Sequence, residues 1–145
     1  MEIISITDNY SVSGELNRDT IEKLVNLGFV RLINVRPDGE AQGQMSSREY
    51  AAICQDLGLT YIYIPVTSGE YSDHIIKQFK QATHCALQHG NVHGVCRTGA
   101  RAVHLWALMN SASNTFESLN SLTVAKGYDL SVIKERFKHL YTGNL

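Results

Sequence analysis

The run Cys96-Arg97-Thr98-Gly99-Ala100-Arg101 places a thiol, a glycine and two guanidinium groups within six residues. It follows an apolar stretch, Val92 to Val95, that reads as a buried strand. It precedes Ala102, Leu105, Trp106 and Met109, which recur at the spacing of an amphipathic helix with these residues in the core. A strand that turns sharply into a helix makes the N–H groups of the turn converge, and the helix dipole adds to their pull on an anion. A cysteine at the mouth of such a turn is favoured as thiolate, the nucleophilic form. Gly99 can take a positive φ or let a ligand approach the backbone, and Arg101 can fork two hydrogen bonds onto an oxyanion. Arg97, Thr98, Gly99 and Ala100 supply the backbone of the cradle and are the expected substrate-binding residues. The chemistry expected is nucleophilic attack by Cys96, with Arg101 stabilising the oxyanion. A buried structural cysteine with a surface arginine one turn later is the competing assignment, and it suits a lone Cys better than this spacing.

The elements that must position this loop follow from periodicity and end signals. Residues 3–6 and 10–13 alternate weakly and are expected to pair near one sheet edge. Asn17 is placed to cap a helix with the apolar stripe Ile21, Leu24, Val25 and Leu27, stopped by Gly28. Phe29 to Val35 reads as a strand that Pro37 ends, and Asp38-Gly39 as a turn. Ser46 with Glu49 is a capping-box pattern before Tyr50, Ile53, Cys54 and Leu57, closed by Gly58. Tyr61 to Val66 is the next strand, and Ser72 caps a long helix carrying Ile75, Ile76, Phe79, Ala82, Cys85 and Ala86 up to Gly90. Two shorter helices are expected over 115–126 and about 131–141.

Strands alternating with helices predict a single α/β domain over residues 1–145, with a mainly parallel central sheet flanked by helices. Ligands of such sheets sit outside the carboxyl ends of the strands. The loops after Val35, Val66 and Val95 therefore share one rim. That rim offers Arg36 as a further cation for an anionic substrate, or equally as an ion-pair partner of Asp38 or Glu40. It also offers Glu70, and less plausibly Asp73, as a general acid, although either carboxylate can be simply solvated. Asp73 suits the first turn of the helix after Ser72. Cys54 and Cys85, on apolar helix stripes, are expected in the core. His84 and His89 are five apart on one helix, and no Cys-x-x-Cys or His-x-x-x-His pair exists, so no metal or other cofactor is expected.

Composition narrows the partners. A formal net charge of −1 argues against a broad nucleic-acid or anionic-membrane surface, so anion affinity must be local to a pocket. No run of about 18 apolar residues is available to span a membrane. Met1-Glu2-Ile3-Ile4 lacks the regions of a signal peptide, and three cysteines are an odd number for a disulfide framework. A reducing cytoplasm is the expectation.

Val12-Ser13-Gly14, the run Leu32 to Glu40, Ile64-Pro65-Val66, Cys96 to Arg101, Leu105 to Leu108 and Gly127-Tyr128-Asp129-Leu130 stand in the order of a known family. Together they resemble the bacterial family DUF442, the phosphatase-like domain of beta-lactamase hydrolase-like proteins. The resemblance implies a fold similar to dual-specificity protein phosphatases, with Cys96 as nucleophile and Arg101 as oxyanion ligand. Three departures bear on the reaction. The loop has four residues between Cys and Arg, one fewer than a phosphatase loop of this class, and so is similar to the loop of rhodaneses. Val95 stands where the family usually has His, with His93 two residues further back. Ala102 stands where a Ser usually helps the cysteine leave the phospho-intermediate.

Three functions compete on these residues. The first is a phosphatase acting through a cysteinyl-phosphate on Cys96, with Glu70 protonating the leaving group. The second is a sulfurtransferase carrying a persulfide on Cys96. The third is a catalytically weak module that binds an anion or a partner. The whole-chain resemblance favours the first, and loop size favours the second. The substrate expected is a phosphorylated or sulfur-bearing small molecule or protein.

Overall fold

The computed structural model describes residues 2–141. The helix-start signals act as their chemistry requires: Asn17, Ser46, Ser72 and Thr115 each accept a hydrogen bond from a backbone N–H three residues on. They open α1 (Arg18–Asn26), α2 (Ser47–Leu57), α3 (Asp73–Leu87) and α5 (Phe116–Val124). The strands are β1 (Ile4–Ser5), β2 (Tyr10–Ser13), β3 (Phe29–Asn34), β4 (Thr60–Tyr63) and β5 (Asn91–Val95). α4 (Ala100–Met109) follows β5 across the cysteine loop, and a 3-10 turn at Ser131–Ile133 leads into α6 (Lys134–Tyr141).

The sheet order is β1-β2-β5-β3-β4, parallel throughout except for the antiparallel edge pair β1–β2. β5 is thus the middle strand, and the loop that leaves it opens at the centre of the carboxyl rim. Strand alternation divides the core. Leu32 and Val95 face α1 and α2 with Leu16, Ile21, Leu24, Tyr50 and Cys54. Ile33, Val35, Val92 and Cys96 face the other layer with Phe79, Leu105, Leu108 and Phe137.

α4 is more deeply set than an amphipathic pattern implies. Every residue from Arg101 to Met109 is buried, because the helix runs between the sheet and the helices α3 and α6. Other expectations are corrected. Cys85 is exposed on α3, since it falls between the buried rows that hold Ala82 and Ala86. Leu27, read as part of the α1 stripe, lies in the C-cap and is 68% exposed. β4 ends at Tyr63, and Ile64 to Val66 leave the ladder as a rim segment whose amides bond back to Asn34 and Val35. Among the described residues no helix is long and apolar enough to cross a membrane.

Candidate active site

The loop after β5 is held in place by backbone contacts at its start. The Cys96 N–H donates to the Ser13 carbonyl (3.3 Å), which ties the cysteine to the end of β2. Gly14 then passes so close that a Cβ there would lie 2.6 Å from the Arg97 carbonyl oxygen, so only glycine fits. Gly99 is the N-cap of α4 with φ +94°, a left-handed conformation that makes the sharp turn possible. No side chain caps α4, which leaves its first turn open toward the loop.

Within the loop the Gly99 N–H points at the Cys96 sulfur, with N···Sγ 3.1 Å. The amides of Arg97, Thr98 and Arg101 have no acceptor among the described residues. Cys96 is 1% exposed, and the space behind it, lined by Asn34, Arg36, Tyr50 and Val95, is too narrow for a water molecule. The Ala100 N–H donates to Thr98 Oγ1 (3.4 Å), so of the loop amides it is that of Gly99 that reaches the sulfur. Arg97 and Thr98 are exposed on the outer side of the loop.

Arg101 is 7% exposed and almost fully committed. Its Nη1 donates to Glu40 Oε2 (2.8 Å) and to the Val66 carbonyl (2.9 Å), while Nη2 donates to Glu40 Oε1 (2.8 Å). What remains is the Nε–H and the second Nη2–H, which are parallel and have no acceptor among the described residues. Arg36 donates from Nε to the same Glu40 Oε1 (3.0 Å) and lies 3.9 Å from Glu15. The ion-pair alternative for Arg36 is thus realised. Glu40 is the residue that sequence reasoning missed as part of the site: a possible partner of Arg36 was visible four residues on, but not its bond to Arg101. The Arg101 hydrogen bonds, followed by those of Arg36, hold its carboxyl below the usual range against the opposing effect of burial.

Glu70 is exposed, and its recorded contact is a backbone turn from its N–H to the Thr67 carbonyl. Among the described residues no hydrogen bond or ion pair links its carboxylate to the cysteine. Asp73 occupies the first turn of α3 and pairs with Arg136. The neighbouring Tyr71 bonds through its hydroxyl to His104 Nδ1 (2.7 Å), joining the rim segment to α4. Burial pushes Tyr71 up to about 12 and His104 down to about 4, so both stay neutral near pH 7.

A second group was not foreseen. His93 is fully buried on β5, with Nδ1 2.6 Å from Ser11 Oγ and Nε2 2.8 Å from Ser13 Oγ. The Ser13 hydroxyl donates to the Gly14 carbonyl (2.8 Å), so it accepts from Nε2–H, and Ser11 donates to Nδ1. Burial holds His93 down at about 3, as a neutral ring. Its signal lay in the β2 serines two apart, which face the histidine across the parallel ladder. Among the described residues no group of three or more His, Cys, Asp or Glu side chains is placed to share a metal ion.

A mostly parallel sheet with a buried cysteine at the end of its central strand, followed by a helix start and an arginine fork, makes this an α/β domain, and the solved structures it resembles give it the cysteine-phosphatase fold. The sequence profile of the phosphatase-like domain of beta-lactamase hydrolase-like proteins, DUF442, matches residues 2–113, and the chain belongs to that family. A beta-lactamase hydrolase-like protein of Xylella fastidiosa is 30% identical over 132 residues, 90% of this chain and 30% of that protein. The chain therefore spans under a third of that curated relative. A candidate phosphatase of Neisseria meningitidis Z2491 superposes with a TM-score of 0.80 at 25% identity, covering 97% of this chain and 99% of that one. A tyrosine-phosphatase-like phytase of Bdellovibrio bacteriovorus shares the fold, with a TM-score of 0.72 at 11% identity over 96% of this chain and 81% of its own.

Proposed function

We propose that the protein hydrolyses phosphate monoesters through a covalent intermediate on Cys96. The observation that carries this reading is the pairing of the Gly99 N–H on the sulfur with an Arg101 fork left free by Glu40 and Val66. The sulfur attacks phosphorus, an S–P bond forms, and the P–O ester bond breaks. Loop amides and the free edge of Arg101 take the equatorial oxygens as charge spreads over them. Glu70, as the carboxylic acid, gives its proton to the departing oxygen. Water then attacks phosphorus, the S–P bond breaks, and Glu70 recovers a proton. Arg36 serves the site through Glu40. The substrate class is a phosphorylated molecule.

A second reading, sulfur transfer, is favoured by one observation: four residues separate Cys96 from Arg101. In that reaction the thiolate attacks the outer sulfur of a donor such as thiosulfate, sulfite leaves, and a thiolate acceptor takes the carried sulfur from Cys96. It needs the cradle but no acid for an alkoxide.

Intact-mass analysis after exposure to an aryl phosphate or to thiosulfate separates the two. Phosphate release that disappears in Cys96→Ser supports hydrolysis. A stable gain of one sulfur, with no phosphate released from the ester, selects sulfur transfer.

A further inference from the structure

A loop amide is aimed by whatever holds the carbonyl on the far side of its peptide. In a planar trans peptide the C=O and N–H point in opposite directions, so anchoring one aims the other. The Thr98–Gly99 peptide shows both ends of this arrangement. The Thr98 carbonyl accepts from the Tyr128 hydroxyl (2.8 Å), and the Gly99 N–H reaches the Cys96 sulfur (3.1 Å). The tyrosine lies against the turn so closely that a Cβ on Gly99 would meet its oxygen at 2.5 Å and Val12 Cγ2 at 3.1 Å.

Tyr128 is itself well anchored. Its N–H donates to the Thr123 carbonyl (2.9 Å) just past α5. The Asp129 side chain accepts from the Ser131 N–H (2.9 Å), and the Leu130 N–H donates to Asn120 Oδ1 (2.8 Å). The hydroxyl is therefore delivered from a pinned segment. The peptide it holds needs such an anchor, because glycine populates positive and negative φ with little preference. A flipped Thr98–Gly99 peptide would turn a carbonyl oxygen toward the sulfur and remove a donor from the cradle.

We propose that Tyr128 is a positioning residue for the cysteine loop, its hydroxyl locking the Thr98–Gly99 peptide with the N–H inward. The proposal rests on Cys96 being the reacting sulfur, and it assigns to α5 and the segment after it a part in the site. It gives a function to the segment around Gly127-Tyr128-Asp129, which otherwise only connects two helices.

Tyr128→Phe keeps the half-buried ring and deletes one oxygen. Affinity for inorganic phosphate, measured by calorimetry, should fall about tenfold, the value of one hydrogen bond to a charged group. The Gly99 amide proton resonance should move away from its sulfur-bonded position, kcat should fall more than KM changes, and Tm should hold. An unmoved Gly99 resonance with unchanged phosphate affinity would overturn the proposal. If neither protein releases phosphate from an ester, the hydrolytic reading fails by itself. The Gly99 resonance and phosphate affinity then still decide the role of Tyr128.

Discussion

Glu40 and Arg101 meet end-on, with two parallel 2.8 Å hydrogen bonds across 61 positions of sequence. A carboxylate thus takes one edge of the guanidinium and leaves the other without an acceptor among the described residues. Arg36 closes on the same carboxylate, so one acid is shared by two arginines and its single charge offsets only one of them.

Glu40→Gln keeps the shape but removes the charge. Turnover should fall about tenfold as the Arg101 fork loses its fixed plane, and solvent beside this carboxylate should keep the loss of stability near 1 kcal/mol at pH 7. Because Glu40 is held below its ordinary value in the folded state, its contribution is present above the ordinary carboxylate range and is lost as pH falls through the folded value. Denaturant titrations of the two proteins should therefore converge below about pH 4. A constant gap down to low pH would show that the pair does not stabilise the fold through charge.

Arg101→Lys retains a positive charge without a planar fork. It cannot hold Glu40 and Val66 while presenting two parallel donors, so kcat should drop by about 10² or more. Steady-state kinetics with an aryl phosphate check this, and unchanged kcat would remove the arginine from transition-state binding.

His93 charges in the unfolded chain near pH 6.5 but in the fold only near 3. Between these values the unfolded state binds more protons, so stability should fall on acidification by about 1.4 kcal/mol per pH unit. Replacing Ser11, His93 and Ser13 together by apolar residues of similar size should abolish that slope. His93→Leu alone should destabilise by about 2 kcal/mol, through the buried Ser11 hydroxyl left without its acceptor. Equilibrium unfolding at several pH values reads both effects.

Ala102 is fully buried and lies over Gly94, where a Cβ would come within 2.8 Å of the alanine methyl. If the reaction is hydrolysis, breakdown of the S–P bond should be slow, because no hydroxyl follows Arg101 to help the sulfur leave. Stopped-flow mixing with an aryl phosphate should show a burst of phenol before slow turnover. Ala102→Ser should speed the slow phase and spare the burst. Slow turnover with no burst, unaltered by the serine, counts against the phosphatase assignment.

Much of this architecture was legible because it is written locally. Asn17, Ser46, Ser72 and Thr115 announce helix starts, and Val92 to Val95 followed by Gly99 announces the strand, turn and helix around the cysteine. The missed parts are those made by tertiary meetings of side chains. Glu40 reaches Arg101 only because β3 and β5 are neighbours in the sheet, and His93 finds its serines only because β2 lies on the other side of β5. Cys85 was misplaced because an apolar stripe on α3 is wider in residue type than in contact: Ala82 and Ala86 pack, while the position between them turns outward.

The position of β5 governs the order in which the molecule can assemble. Both of its neighbours precede it in the chain, β2 by about eighty residues and β3 by about sixty, and they join one sheet only when β5 slots between them. Closing such long loops is slow, because their entropy is lost before contacts repay it. A nascent chain that has not yet released residues 91–95 thus holds two unjoined sheet halves. The Cys96 sulfur emerges directly behind the strand that joins them. The contacts around it come from Ser13 and Glu40 early in the chain and from Tyr128 later, so the geometry of the loop is complete only when the domain is whole.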